Sequence, residues 1–380
     1  MTASAPRRYL FDARVIQDHF PGIGRYAWNL LHALPALLQP DERLIVLHDP
    51  AAKNARLPSP LSAPAGAAAS RVSFIEHRAP IFGASNAVRA LPAQGNVEHH
   101  LYYVRPYARG RQAVTTIYDA ISFVYPQHVP SARARLLIGL FHRLAIGASR
   151  RIITISQSAA DDLARQFPAS RGKLEVTPLA ADAVFAPQPQ AQMRSVRDRF
   201  GLHGRFALYL ASNKPHKNLP RLMDAFAATP AEDVTLVIAG HQDARYPQAQ
   251  QRVSALGLGS RVRVLGPVSD ADAAALYSTC DVFVYPSLYE GFGLTPLEAM
   301  ACGAPTICSN TSALPEVGGD AALLVDPSDT GAIAAAMARV LGDAALRTEL
   351  SRKSLAQAAR FSWAKTAEHT IEIYRALSRV

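Results

Sequence analysis

Residues 287–303, Ser287-Leu-Tyr-Glu-Gly-Phe-Gly-Leu-Thr-Pro-Leu-Glu-Ala-Met-Ala-Cys-Gly303, carry the pattern around which the rest of the chain is organised. They follow the apolar run Val282-Phe-Val-Tyr285, whose length and β-branched content predict a buried parallel strand. Gly291 and Gly293 let the backbone turn sharply and leave its N–H groups uncovered. A helix is predicted immediately afterwards, with Thr295 as N-cap, Pro296 in its first turn and Glu298 at capping-box spacing. Gly303 and Pro305 end it within about two turns. Strand, glycine turn and helix N-terminus together direct free N–H groups and the positive end of a helix dipole at one loop, which suits an anion, phosphate above all.

Two carboxylates flank this loop. Glu298 is open to two readings, a capping-box carboxylate or a ligand-binding one. Glu290 has no capping role to play. Beside a phosphate site it would repel the anion unless it served a neutral hydroxyl group, so the pair of features points to a ligand with both phosphate and hydroxyls, such as a sugar nucleotide.

The segment Glu290-Gly-Phe-Gly-Leu-Thr-Pro-Leu-Glu298-Ala-Met-Ala-Cys-Gly resembles the paired-glutamate signature of family 4 retaining glycosyltransferases. The likeness continues through Pro305-Thr-Ile-Cys-Ser309 and Leu314-Pro-Glu-Val-Gly-Gly-Asp320 to Asp326-Pro327. It implies an α/β protein of the GT-B fold, two Rossmann-like domains with parallel sheets facing across a central cleft. It also implies that Glu290 holds donor sugar hydroxyls and Glu298 the ribose. The backbone of Gly291, Phe292, Gly293, Leu294 and Thr295 would then meet sugar and phosphates.

The N-terminal half reads as a first α/β series. Arg8–Asp12, Leu44–Leu47, Val72–Ile75, Val114–Ile117, Arg151–Ser156 and Leu174–Pro178 are predicted strands. Pro21-Gly-Ile-Gly24-Arg-Tyr26 reads as a glycine loop opening a helix over 27–38; as a dinucleotide fingerprint it lacks the third glycine. The resemblance instead places Gly22 and Gly24 near donor phosphates and acceptor. Residues 51–70, rich in proline and alanine, read as a surface loop. Tyr118-Asp119 ends a strand at the edge where open α/β sheets hold ligands. Relatives often carry His-Asp there, so Tyr118 departs from the pattern and no histidine is assigned; Asp119 is either catalytic or a helix cap. A helix over 131–146 mixes apolar residues with Arg133, Arg135 and Arg143, and fits either a core position or a membrane surface.

Pro187-Gln-Pro-Gln-Ala-Gln192 has the composition of a linker, placing the domain change at 183/184. The expected domains are therefore an acceptor-binding 1–183, joined by a returning C-terminal helix 362–380, and a donor-binding 184–361. After the strand Phe206–Leu210, the loop 211–220 puts Lys217 beside a helix N-terminus, as a second anion clamp or as a solvated lysine. The resemblance gives Lys217 the donor diphosphate. Where some relatives have an arginine, this chain has Ser212 and Asn213, with Lys214 or His216 as substitutes. Gly240 ends a further strand, and Gly266 and Val268 end another that lines the base pocket in relatives. Asp270-Ala-Asp272 could pass for a metal motif but suits the start of a helix. Asp329 caps the next one.

Composition narrows the classes. The 380 residues are about two domains, and at 49% hydrophobic they fill two cores. No run approaches the length of a membrane span. Residues 1–8 lack the apolar core of a signal peptide, so the expected location is cytoplasmic, with peripheral contact at the inner face of the cell membrane. Cys280, Cys302 and Cys308 show no metal or disulfide spacing and are expected to be reduced and buried. Residues 1–182 hold 21 Lys and Arg against 12 Asp and Glu, a net +9, whereas 183–380 hold 19 against 18, a net +1. No motif or aromatic-spaced basic stripe for nucleic acid accompanies that excess, which leaves a membrane or an anionic substrate.

The reading is thus a retaining, metal-independent hexosyltransferase without cofactor. Its donor is a nucleotide-sugar, GDP-mannose-like ahead of UDP-sugar, by likeness to bacterial mannosyl- and rhamnosyltransferases. Its acceptor is lipid-linked or an oligosaccharide of cell-surface polysaccharide synthesis. The alternatives are a GT-B phosphorylase or soluble disaccharide synthase, and a nucleotide- or nucleic-acid-binding regulatory protein.

Overall fold

The computed structural model describes residues 6–54, 69–78, 81, 91, 95–107, 112–126, 129 and 131–379. Of the 51–70 stretch, residues 55–68 lie outside the described residues. The chain divides into two compact units, Met1–Leu179 with Ser362–Val380, and Ala180–Phe361, so the change follows Leu179 rather than residue 183.

The first unit has strands β1 (Arg7–Asp12), β2 (Glu42–His48), β3 (Val72–Glu76), β4 (Val97–His100), β5 (Gln112–Thr116), β6 (Arg151–Thr154) and β7 (Leu174–Val176). All pair in parallel, in the order β3-β2-β1-β4-β5-β6-β7. Between them run α1 (Pro21–Ala33), α2 (Ile121–Val124), α3 (Ala132–Ala148) and α4 (Gln157–Gln166). α1 starts earlier than its sequence suggests. Gly24 N already donates to Phe20 O at 2.6 Å, so Gly22 and Gly24 form its first turn and not a loop.

Strand β4 escaped the sequence reading because Val-Glu-His-His has no apolar run. Its polar side chains are buried all the same, and they answer one another. His100 lies 3.7 Å from Asp12 and 3.6 Å from Glu98, while Arg14 clasps Asp12 with Nε–Oδ1 2.8 Å and Nη2–Oδ2 2.6 Å. Burial would raise the Asp12 carboxyl, but the Arg14 guanidinium holds it well below the usual range.

The second unit has α5 (Gln190–Phe200), β8 (Arg205–Leu210), α6 (Leu219–Ala228), β9 (Val234–Ala239), α7 (Gln248–Ala255), β10 (Val262–Gly266), α8 (Asp270–Thr279) and β11 (Val282–Tyr285). There follow α9 (Leu294–Ala301), β12 (Thr306–Ser309), α10 (Leu314–Gly318), β13 (Ala322–Val325), α11 (Thr330–Gly342) and α12 (Ala344–Ala358). Its parallel sheet has the order β10-β9-β8-β11-β12-β13. The 187–192 stretch is not a free linker: α5 begins at Gln190 and buries Val196 in the core with Phe206. Successive residues of β11 serve two cores, Val282 and Val284 on one face with Phe226 and Met337, Phe283 and Tyr285 on the other with Tyr277. A strand covered on both faces reads as a continuous apolar run, as this one does.

The last helix, α13 (Trp363–Ser378), belongs to the first unit. Ile371 is 2% exposed, a burial that contributes about 1.5–3 kcal/mol. Arg375 grips Glu42 through Nε–Oε1 at 2.9 Å and Nη2–Oε2 at 2.8 Å, and the Tyr374 hydroxyl bonds His99 Nδ1 at 2.5 Å. Thr116 Oγ1 takes the other ring nitrogen of His99 at 2.8 Å.

Burial, with His100 nearby, lowers the His99 pKa from 6.5 to about 3, so the ring is neutral in the native protein. An unfolded chain takes up that proton first, so stability must fall as pH drops below about 6.5 towards about 3. Between pH 7 and pH 5, His99 alone should remove about 2 kcal/mol from the first unit. Both tryptophans, Trp28 and Trp363, lie in that unit, so urea unfolding followed by their fluorescence reads it selectively. A flat profile between the two pH values would show that His99 is protonated in the fold.

Candidate functional site

In the second sheet β8 and β11 are neighbours, and the connections leave them in opposite directions. At such a switch point the loops beyond the carboxyl ends diverge and open a crevice. The loop after β8 carries Lys217, and the loop after β11 carries Glu290.

These two side chains meet. Lys217 Nζ donates to Glu290 Oε1 at 2.6 Å and to the Tyr285 hydroxyl at 2.8 Å, and that hydroxyl donates to the same Oε1 at 2.9 Å. Lys217 and Glu290 retain 15% and 14% side-chain exposure, so the triangle is enclosed without being sealed. Burial alone would raise the Glu290 pKa; the adjacent Lys217 ammonium and its hydrogen bond draw it below the usual value instead. Burial and the Glu290 charge push the Tyr285 phenol far up, so it remains a donor at neutral pH.

Neutral groups hold the loops. Asn218, left-handed at φ 60°, donates through its amide to Pro286 O at 3.0 Å and Pro327 O at 2.8 Å, joining three loops. Leu288 N donates to His216 O at 2.7 Å. Glu290 itself is positioned from the loop after β12: its backbone N–H donates to Ser312 Oγ at 2.9 Å, and Ser312 Oγ donates to Thr311 O at 2.7 Å. Ser312 has φ 53°, a conformation that side-chain-bearing residues adopt at some cost.

The helix start differs from its expected form. Gly293, at φ 117°, is the N-cap of α9, and no side chain caps that end. Thr295 therefore lies inside the first turn and Glu298 belongs to no capping box; the chain turned two residues early because Gly293 could take the positive φ. A side chain at Gly293 would meet Leu314 Cδ2 at 2.9 Å, so the turn is packed on one side. Phe292 is likewise directed into the protein, its ring edge-on to Phe361 at 5.8 Å. Leu294 and Thr295 stay half-buried, and Glu298 is buried at 7% exposure.

Other expected residues separate into groups. The Asn213 side chain holds the scaffold: the amide donates to Asp243 O and Tyr246 O and accepts from Asp243 N, all within 2.9 Å, which uses both of its donors and one of its two acceptor positions. Ser212 is half-buried and offers its carbonyl to the Tyr209 hydroxyl at 3.0 Å, while Lys214 is exposed. Gly240 and Gly266 end β9 and β10 with positive φ, and a side chain at Gly240 would strike Ala211 O at 2.3 Å. Val268 packs against the second core. In the first unit Asp119 Oδ1 accepts from Ile121 N at 2.9 Å, a turn-forming bond at the start of α2. Asp270 and Asp272 fall in the first turn of α8, where Ser269 caps Asp272 N and Arg199 pairs with Asp272. Among the described residues no group of three His, Cys, Asp or Glu could hold a metal ion. The three cysteines are free and buried.

Residues 197–372 match the family described as glycosyl transferases group 1. Over 273 residues the chain is 35% identical to O-antigen chain mannosyltransferase B of Escherichia coli, with 71% of each protein covered. It is 38% identical over 231 residues to the serotype-specific mannosyltransferase WbdA of Escherichia coli, covering 58% of this chain but only 28% of that protein. Sucrose-phosphate synthase of Thermosynechococcus elongatus superposes with TM-score 0.71 at 21% identity, covering 98% and 99% of the two chains. HepE of Anabaena, solved with UDP and glucose, gives 0.71 at 19%, covering 97% and 100%. The fold is that of GT-B glycosyltransferases. The chain belongs to the group 1 glycosyl transferases.

Tyr285 and Ser312 were not legible as site residues in sequence. Tyr285 reads as one more apolar strand position, and Ser312 acts through a backbone angle that no local pattern announces. Replacing Ser312 by Ala keeps the unfavourable φ and deletes the bond to Glu290 N, an expected loss of about 1–3 kcal/mol. Ser312→Gly relieves the backbone and should recover about 1 kcal/mol of that loss. Denaturant melts of the two variants decide this; equal stability would mean that the φ of Ser312 carries no strain.

Proposed function

We propose that this glycosyl transferase moves a hexose from a nucleotide-sugar, GDP-mannose ahead of a UDP-sugar, to a lipid-linked or glycan acceptor in cell-surface polysaccharide synthesis. The observation that carries the reading is the Lys217–Glu290 pair at the switch point of the second sheet. Each group satisfies the other. A sugar diphosphate offers both a better partner: its phosphates take the ammonium, and sugar hydroxyls donate to the carboxylate. Glu298 serves the ribose, and the uncapped first turn of α9 adds N–H groups and the positive dipole end. The relatives named as an O-antigen chain mannosyltransferase and a serotype-specific mannosyltransferase support the choice of mannose, and the first supports a surface polysaccharide.

As the bond from C1 to the phosphate oxygen breaks, negative charge grows on the diphosphate, where Lys217 and the helix amides are already in place. The acceptor oxygen bonds C1 from the same face, and its proton passes to the departing phosphate oxygen, which gives retention without a side-chain base. The donor is assigned to the second unit and the acceptor to the first, with Asp119, Gly22 and Gly24 among the first unit's residues that serve transfer. The reading needs neither metal nor cofactor. The protein works at the inner face of the cell membrane; no helix among the described residues is long and apolar enough to cross one.

Glu290→Gln keeps the shape of the side chain and removes its charge. Transfer from GDP-mannose, or from UDP-glucose, should fall about 100-fold or more, with secondary structure unchanged. Lys217→Ala should weaken GDP binding and cost about 2–3 kcal/mol of stability, less than a sealed ion pair because both groups retain 14–15% exposure. Titration with GDP, UDP and ADP ranks the bases. Turnover of Glu290→Gln within a factor of about two of the parent, or retention of RNA with no nucleotide bound, would dismiss this site.

A further inference from the structure

Helix α3 carries an apolar ridge that the core does not use. Leu136, Leu137, Leu140 and Leu144 are 73%, 51%, 48% and 40% exposed, four of the eight large hydrophobic side chains so exposed among the described residues. Leu136, Leu140 and Leu144 follow at four-residue spacing and form one line, which Leu137 widens. The inward side of the helix is already filled: Gly139, His142, Ala145 and Ile146 are buried, and the His142 ring stacks on Phe167 at 5.4 Å. The outer leucines therefore await something other than this chain's own core.

Charge selects the occupant. α3 contains Arg133, Arg135 and Arg143 and no acidic residue. Arg135 and Arg143, with Leu136, Gly139, Phe123 and Phe167, line a cleft of about 370 Å³ along the helix. Its floor is partly aromatic, and the Arg143 guanidinium carbon is 5.8 Å from the Phe167 ring centroid. A second copy docked through the same ridge would set arginine against arginine with no carboxylate in the helix to compensate. A bilayer carrying anionic lipid meets both features at once, acyl chains for the leucines and phosphates for the guanidiniums.

We propose that α3 docks the protein on an anionic phospholipid surface, the leucine ridge at the acyl boundary and a lipid phosphate in the Arg135–Arg143 cleft. This deepens the reading of a lipid-linked acceptor and rests on that reading only for its purpose. Docking itself is measured with no donor or acceptor present, so its failure is distinguishable from failure of the transfer chemistry.

The test is cosedimentation of the full chain with vesicles of phosphatidylcholine, alone or mixed with phosphatidylglycerol. Partition should favour the mixed vesicles and weaken as salt rises. Leu136→Ser/Leu140→Ser/Leu144→Ser should weaken it about tenfold or more. Arg135→Gln/Arg143→Gln should reduce the preference for anionic lipid by about tenfold while leaving the leucine ridge intact. Leu355→Ser, at an exposed leucine of the second unit, should change nothing, and circular dichroism and donor hydrolysis should match the parent in every variant. A parent chain that stays in the supernatant with both vesicles, or leucine and arginine variants that bind as it does, would overturn the proposal.

Discussion

Lys217 and Glu290 are 73 residues apart, and an ion pair between them exists only because β8 and β11 lie side by side. An ammonium or a carboxylate left alone in a crevice this enclosed would be costly, and the two groups remove that cost from each other. The arrangement is also easily undone. Each partner keeps some access to solvent, and in the proposed function an anionic, hydroxyl-bearing ligand replaces the bond that joins them on both sides.

Around that contact the loops are fixed by groups that carry no charge. Backbone N–H and C=O groups in a buried loop must find partners, and Asn218, Ser287, Ser309 and Ser312 supply them: Ser309 Oγ donates to Ser287 O at 2.6 Å and Ser287 Oγ to His216 O at 3.1 Å. Asn213 does the same for the 243–246 turn. Polar residues near a site are thus divided between those consumed by the scaffold and those with capacity to spare, and only the hydrogen-bond inventory separates the two.

The first sheet has a comparable switch point between β1 and β4, and it is filled differently. There Asp12, Arg14, His100 and Glu98 are buried together, and no lysine or carboxylate of the cluster retains the exposure of Lys217 or Glu290. The same topology has given one sheet a self-contained charge cluster and the other an ion pair that stays partly exposed. Elsewhere in the first unit, α3 turns leucines outward between arginines.

Much of this was legible in the sequence, because it depends on local rules. Apolar runs named four strands of the second sheet, β8 to β11, and strand, glycine turn and short helix placed Glu290 beside a helix N-terminus. What depends on contacts between distant segments was not legible. β4 carries no apolar signal, since Glu98 and His100 are accommodated by each other with Asp12 and Arg14, and His99 by Tyr374 and Thr116. Thr295 looked like a cap, but the positive φ of Gly293 starts the helix two residues sooner. Sequence by itself determined which residues could carry charge and where the chain must turn. Tertiary structure decided which of those charges meet, because the distance between Lys217 and Glu290 is set by strand order, and strand order by the packing of two cores against one sheet.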